Sequence, residues 1–94
     1  MKHYELIKLR AGADVIETQE KIWKALEKLD KRYDWLNFPE IRRDLNKDAA
    51  WTFMTVVDLD GEEYVDAYLA DEIYQKLLSA VGANVIARST FNHF

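Results

Sequence analysis

The stretch that decides the fold is DLDGEEYVDAYLADEIYQKLLSAV, residues 58–81, because its apolar residues form two helical patterns of different phase. The first pattern places one face of a helix at Tyr64, Val65, Tyr68 and Leu69. The second pattern begins one residue later than a continuous helix requires and comprises Ile73, Tyr74, Leu77, Leu78 and Val81. This slip predicts two short helices that meet at an elbow, with Asp71 as the N-cap of the second helix. Tyr68 and Tyr74 would flank the elbow, which would line a pocket.

The segment before this stretch predicts a strand that is apolar on both faces. One face of Trp51 to Leu59 carries Trp51, Phe53, Thr55, Val57 and Leu59, and the other carries Thr52, Met54, Val56 and Asp58. An antiparallel sheet with one face in water has a polar side, so this pattern indicates that both faces are covered. Asp60 and Glu63 follow with the D-x-x-E spacing of a capping box, which predicts the start of the first of the two helices.

The segment after the elbow predicts the last strand of the sheet. Gly82 suits the position just beyond a helix, where a left-handed residue commonly ends it. Asn84 to His93 then alternates, with one face at Val85, Ala87, Ser89 and Phe91 and the other at Ile86, Arg88 and Thr90.

The N-terminal half predicts a strand, a helix and a second strand. His3 to Arg10 alternates and forms the first strand. Asp14 stands three residues before Glu17, which resembles a capping box and starts a helix. The apolar face of this helix comprises Ile16, Ile22, Trp23, Leu26, Leu29, Tyr33 and Leu36. The segment Asn-Phe-Pro at 37–39 ends the helix, because proline disfavours the helical conformation in the residue before it. Glu40 to Leu45 is then the second strand.

The order of these elements is β-α-β-β-α-β, in one domain that spans residues 1–94. Two βαβ halves predict an α+β, ferredoxin-like fold, in which a four-stranded antiparallel sheet carries its helices on one face. That arrangement leaves the other face bare. Because the third strand is apolar on both sides, a second copy of the chain is expected to cover it and form a homodimeric α+β barrel.

Composition limits the classes of partner and site. The net charge of −4 disfavours binding to nucleic acid or to anionic membranes, which clustered Lys and Arg drive. The chain contains no cysteine, which excludes disulfides, thiolate metal sites and thiol nucleophiles and favours the cytoplasm. The charged, alternating N-terminus has no signal-peptide pattern. We therefore expect a cytoplasmic protein with no nucleic-acid partner, no membrane contact, no cofactor and no metal.

Three segments of the sequence resemble the stress-responsive dimeric A/B-barrel (Dabb) family. They are VVDLDGEEYVDAYLADEIYQ at 56–75, MKHYELIKLR at 1–10, and IRRDLN at 41–46, where the family has a Gly-Arg-Asn-like turn. The likeness extends in order and length over nearly the whole chain. It implies the same ferredoxin-like homodimer that the periodicities predict.

The family's elbow carries a His-Pro-x-His motif that this chain does not keep. In a polyketide cyclase of the family, the elbow His removes a substrate proton in an aldol-type cyclisation, aided by a Tyr and by an N-terminal His. By position the N-terminal His matches His3 and the Tyr matches Tyr68. The motif itself falls on Asp71, Glu72, Ile73 and Tyr74. Both elbow histidines are absent, and tyrosine, with an ordinary pKa near 10, is a poor general base at neutral pH.

The candidate site follows from the predicted faces. His3 and Glu5 share one face of the first strand, and if that face lies under the helices they project toward the elbow. The hypothetical ligand-binding set is His3, Glu5, Trp23, Tyr68 and Tyr74. The alternatives are that His3 and Glu5 lie in water at the strand end, and that the aromatic residues only pack. The acids of DLDGEE resemble the start of a calcium loop but lack its later ligands, and helix capping accounts for them.

Two functions from different classes remain at this stage. The first is a Dabb-like homodimeric barrel that binds a small hydrophobic or aromatic ligand between sheet and helices. The second is a cofactor-free enzyme of the polyketide-cyclase or small-barrel monooxygenase type, with catalytic residues that the sequence does not assign. A cavity above ~300 Å³ lined by His3, Glu5 and Tyr74 would favour the enzyme, and a closed interior would favour the first function.

Overall fold

The computed structural model describes all 94 residues and has the predicted element order. The elements are β1 (Lys2–Leu9), α1 (Val15–Arg32), β2 (Leu36–Arg43), β3 (Phe53–Leu59), α2 (Tyr64–Ala70), α3 (Glu72–Val81), a 3-10 turn (Gly82–Asn84) and β4 (Val85–His93). The strands form one antiparallel sheet in the order β2-β3-β1-β4. This is the ferredoxin-like topology, so the predicted fold is confirmed. None of the helices combines the length and hydropathy needed to cross a membrane.

The core lies between the sheet and the helices. Alternate residues of β1 and β3 face α1 and the two helices of the elbow, as the period of two requires. The principal buried residues are Ile7, Leu9, Ile22, Leu26, Leu29, Phe53, Val57, Leu59, Tyr68 and Tyr74. The opposite face of the sheet, which we call the open face, carries Tyr4, Leu6, Met54, Val56 and Phe91. Both faces of β3 are therefore largely apolar, as the sequence pattern indicated.

The elbow predicted from the phase slip is present. α2 ends at Ala70, and Asp71 has an extended backbone with φ −62° and ψ 141°. The Asp71 Oδ1 accepts a hydrogen bond of 2.7 Å from the backbone N–H of Ile73 and thereby caps α3. Its second carboxylate oxygen accepts a hydrogen bond from the Tyr33 hydroxyl. One side chain therefore starts α3 and ties the elbow to the end of α1.

The predicted end of the first helix is wrong. α1 begins after Asp14, whose Oδ1 accepts from the Glu17 N–H at 3.0 Å as predicted, but it ends at Arg32 rather than near residue 36. Tyr33 already has an extended backbone, with φ −124° and ψ 129°. Trp35 and Leu36 fit the helical pattern of apolar residues but are not helical. Trp35 precedes β2, and Leu36 is its first residue.

Pro39 does not end a helix but lies within β2, which covers 36–43 rather than the predicted 40–45. The register with β3 shifts between Asn37 and Glu40, and Phe38 there has φ 49°. β2 is an edge strand, and edges and bulges are the places where a sheet accepts a residue without an N–H. Pro39 therefore marks an irregularity of the backbone, but this irregularity is a bulge in β2 and not the end of a helix. The ends of β1, β3 and β4 differ from the prediction by one or two residues.

Two predicted helix-end features are also wrong. α2 starts after Glu63 without any side-chain cap, and the Asp60 carboxylate instead accepts from the Asn37 amide at 3.0 Å. Asp58 accepts from the N-terminal amine at 3.4 Å. Asp58 therefore joins β3 to the N-terminus, and Asp60 joins the turn after β3 to β2. Gly82 has φ −56°, which any residue adopts, and the chain continues into the 3-10 turn.

The elbow provides a test of its own stability. Replacing Asp71 by Ala removes the cap of α3, and we expect the free energy of unfolding to fall by at least about 1 kcal/mol in urea denaturation. Tyr33→Phe is the matched control, because it removes the bond to Asp71 but leaves the cap. The two variants losing equal stability would show that the cap contributes nothing.

Candidate functional site

β1 carries two polar side chains into the core between sheet and helices. His3 and Glu5 alternate with Tyr4 and therefore face the helices, where only 2% and 4% of their surfaces are exposed. The alternative that they lie in water at the strand end is wrong. Buried polar groups require partners, so the surroundings of these two residues define the candidate site.

Glu5 lies at the centre of a hydrogen-bonded triad with Tyr74 and Arg88. The Tyr74 hydroxyl of α3 donates to the Glu5 Oε2 at 2.8 Å, and the Arg88 guanidinium of β4 donates to the same oxygen. Arg88 also donates to the Tyr74 hydroxyl oxygen at 2.6 Å. The Glu5 side chain is 5% exposed and that of Arg88 is 37% exposed, so the ion pair lies at the rim of the core. Arg88 supplies the countercharge that a buried carboxylate needs.

His3 has one nitrogen bonded and one unpartnered. Its Nδ1 lies 2.5 Å from the Oδ1 of Asn92 on β4. Its Nε2 is buried and has no hydrogen-bond partner in the protein. The imidazole packs at an angle of 60° against the ring of Tyr68, with centroids 5.4 Å apart. An unpartnered nitrogen in this setting is costly, because it has lost its hydrogen bonds to water without gaining one inside the protein.

The two elbow tyrosines are protonated side chains held in contact. Their ring centroids lie 4.8 Å apart, with Tyr68 on α2 and Tyr74 on α3. Burial raises the pKa of Tyr68 above its ordinary value, and the charge of Glu5 adds to the effect. Burial also raises the pKa of Tyr74, with further contributions from the charge of Glu5 and the hydrogen bond to it. Both phenols therefore act as hydrogen-bond donors near neutral pH and not as bases.

The space between these side chains is small. A cavity of about 20 Å³ is bounded by Glu5, Tyr68, Tyr74 and Arg88 together with Thr55 and apolar residues of α1 and α3. A single water molecule fits that volume, whereas a drug-sized ligand needs hundreds of cubic ångströms. His3 is not on the cavity wall but lies behind Tyr68. The interior is therefore closed. Of the two functions considered from the sequence, a closed interior favours the ligand-binding barrel and disfavours the enzyme.

The structure brings four of the five predicted site residues together. His3, Glu5, Tyr68 and Tyr74 form one continuous set of contacts. Trp23 does not join them, because it lies on the outer side of α1 beside Ile16 and Ile41 and is 38% exposed. Its place in the helical pattern predicted a buried face, but that face turns Ile22 and Leu26 inward.

Arg88 and Asn92 are the site residues that the sequence analysis missed. The antiparallel register places Asn92 opposite His3 and Thr90 opposite Glu5, so alternate β4 residues share the helix-facing side with them. The signal was present, because Arg88 and Thr90 formed the polar face of the predicted last strand. Without the register, nothing related that face to His3 and Glu5.

Comparisons with known proteins support the fold. Neither protein-family models nor curated proteins match the chain. Among solved structures, a dimeric protein of unknown function with a ferredoxin-like fold from Bacteroides fragilis has a TM-score of 0.83 at 17% identity, over 96% of this chain and 90% of that one. A Dabb family protein with a ferredoxin-like fold from Mesorhizobium loti has a TM-score of 0.73 at 11% identity, over 99% and 93%.

A cofactor-independent oxygenase, SnoaB from Streptomyces nogalater, also has this architecture. Its TM-score is 0.73 at 10% identity, over 98% of this chain and 90% of that one. At such identities the similarity establishes the fold alone. The resemblance to Dabb proteins expected from the sequence is confirmed at that level, in a ferredoxin-like chain whose elbow lacks the family's histidines.

The buried tyrosines predict how stability depends on alkaline pH. In the unfolded chain the phenols lose their protons near pH 10, whereas burial keeps them protonated in the folded protein. Above about pH 10 the unfolded state therefore binds fewer protons, and the free energy of unfolding falls as pH rises. We expect urea denaturation between about pH 8 and 11 to show this decline, with a smaller slope in Tyr74→Phe.

Tyr64→Phe is the control for this measurement, because Tyr64 is only partly buried, at the start of α2, and lies outside the open face of the sheet. Its decline should match that of the unaltered protein. Equal slopes for the unaltered protein and for Tyr74→Phe would contradict burial of Tyr74 as a cause of the decline.

Proposed function

We propose that the protein is a homodimeric α+β barrel that binds a small hydrophobic or aromatic ligand between its sheet and helices. The observation that carries this proposal is the buried, unpartnered Nε2 of His3 in contact with the Tyr68 ring. Native cores leave few such groups without a partner, and each exception needs a reason. A ligand atom that occupies this position supplies one.

The proposed ligand-binding residues are His3, Glu5, Tyr68 and Tyr74. Tyr68 offers a hydroxyl donor, both tyrosines offer aromatic surface, and His3 is the type of side chain that exchanges a proton near neutral pH. Glu5 is already occupied by Tyr74 and Arg88, so its part is to orient these donors. Trp23 has no part in the proposal, because it borders a separate surface cleft.

A ligand larger than water requires the cavity of about 20 Å³ to expand. α2 is the element best suited to move, because it is seven residues long and carries Tyr68 at the cavity wall. The chain breaks at Asp71 on one side of it and turns without a side-chain cap on the other. Short elements between breaks lie at the low-stability end of a structure, so α2 can open at modest cost.

The homodimer is proposed from the open face. Tyr4 and Phe91 pack edge to face there, with ring centroids 6.4 Å apart, next to Leu6, Met54 and Val56. Phe91 is 63% exposed in the single chain, although large exposed apolar surfaces are uncommon in stable monomers. The Bacteroides fragilis neighbour is described as dimeric, which supports the same assembly here. The lack of cysteine is compatible with the cytoplasm, which we propose as the compartment.

A cofactor-free enzyme is the second candidate. It is favoured by the free imidazole nitrogen of His3, whose ring packs against the phenol of Tyr68, a combination suited to moving a substrate proton. The similarity of fold to a cofactor-independent oxygenase is compatible with it. Against it stand the closed cavity and the absence of histidine from the elbow.

The dimer can be tested by sedimentation equilibrium at micromolar concentration. We expect a mass of twice the 11.1 kDa of one chain, with an interface above about 1,200 Å² in total. Phe91→Lys places a charge on the open face and should shift the protein toward monomer. Ile16→Lys, on the exposed side of α1, is the matched control and should remain dimeric. A monomeric unaltered protein would refute the barrel.

Ligand binding can be tested with an environment-sensitive apolar fluorophore such as anilinonaphthalene sulfonate. We expect His3→Ala to weaken its affinity by about fivefold, the equivalent of one hydrogen bond of about 1 kcal/mol. Trp23→Phe is the control and should bind as the unaltered protein does. An affinity that His3→Ala leaves unchanged would show that the ligand does not bind at this cluster.

A further inference from the structure

We propose that Asn92 is a positioning residue that fixes the tautomer of His3, with the proton on Nδ1 and an electron pair on Nε2. The Asn92 Oδ1 lies 2.5 Å from the His3 Nδ1, and β4 holds the two residues directly opposite each other in the sheet. An amide oxygen can only accept, so the imidazole nitrogen facing it must carry the proton. The buried Nε2 is then an acceptor.

The amide of Asn92 is suited to this role because it is uncharged. A carboxylate at the same position would favour the imidazolium and fill both ring nitrogens with protons. An amide oxygen orients the ring without that charge, as carbonyl oxygens do for histidines that must keep one nitrogen free. Asn92 therefore selects a neutral imidazole that presents a lone pair.

Asn92 also lies at the boundary between the core and water. It is exposed and borders a cleft of about 570 Å³ between the N-terminal residue, the turn before α2 and the end of β4, with Glu62, Glu63 and His93 on its wall. His3, on its other side, is enclosed. The amide can thus keep its Nδ2 hydrated in the cleft while its oxygen faces inward. This gives its two polar ends different partners and fixes its orientation.

The tautomer of His3 indicates which class of ligand the site would bind. This step rests on the proposed function. Tyr68 offers a hydroxyl donor, whereas the Tyr74 hydroxyl already donates to Glu5. His3 Nε2 is a buried acceptor without a partner. A ligand that satisfies Tyr68 and His3 must carry both an acceptor, such as a carbonyl oxygen, and a hydroxyl or N–H donor. The ligand class is therefore an aromatic or hydrophobic molecule with both groups, such as a hydroxy-carbonyl compound.

The experiment is long-range ¹H–¹⁵N correlation NMR of the histidine rings in the ligand-free, full-length protein. At a pH where His3 is neutral, we expect Nδ1 to have the shift of a protonated ring nitrogen and Nε2 that of an unprotonated one. Asn92→Ala should change this pattern toward the Nε2–H form or a mixture. Asn92→Asp should raise the pH midpoint of the His3 titration, because a carboxylate beside the ring stabilises the imidazolium. Thr90→Ala, on the same strand face, is the matched control and should change neither.

A protonated Nε2 in the unaltered protein would overturn the proposal, whatever the variants do. It would also be overturned if Asn92→Ala kept the original pattern, or if Thr90→Ala changed it as much. The unaltered protein and Asn92→Asp keep the test decisive if Asn92→Ala fails to fold. Because no ligand is present, a negative result here is distinct from a negative result with the fluorophore, which would reject the binding site itself.

Discussion

The Glu5 carboxylate is the group on which the arrangement of the site depends, because it cannot remain buried without Arg88 and Tyr74. These three residues come from β1, β4 and α3, so compensating one charge fixes the relative positions of a central strand, an edge strand and the second elbow helix. Removing one partner of a buried ion pair typically costs several kcal/mol, far more than a surface pair. The ion pair therefore also determines where the His3–Asn92 pair and the tyrosines lie.

The elbow determines which side chains line the cavity. A continuous helix would have one apolar stripe, and Tyr68 and Tyr74 could not both lie at its centre, since six residues rotate a helix by about 600° and leave the two side chains about 120° apart. The break at Asp71 resets the phase, so both rings face the same space. The stack of Tyr33, Trp35 and Tyr64, with centroids 4.6 and 5.0 Å apart, anchors the far end of α2. The stack therefore holds the start of α2, so that any opening of α2 is a movement of its elbow end.

The parts of this structure that sequence could predict are those set by local periodicity. The phase slip gave the elbow and its cap, and the alternation in β1 placed His3 and Glu5 on one face. The features that the sequence could not predict depend on contacts with other elements of the fold. Pro39 marks a bulge only because β2 is an edge strand, and Asp60 is no cap because Asn37 binds it across the turn. Arg88 and Asn92 became site residues only through the register of β4 against β1.

The unpartnered nitrogen of His3 supports the proposed ligand-binding role of this core. If packing alone had shaped this region, an apolar residue at position 3 would avoid the cost of about 1–3 kcal/mol that an unsatisfied buried nitrogen carries. Asn92 adds to the argument, because it bonds the nitrogen that is nearer to water and leaves the enclosed one free. A fold that only had to hide His3 would gain more by bonding the buried nitrogen. The unpartnered Nε2 therefore supports the proposal of a ligand that enters as α2 opens and Tyr68 moves away from the imidazole.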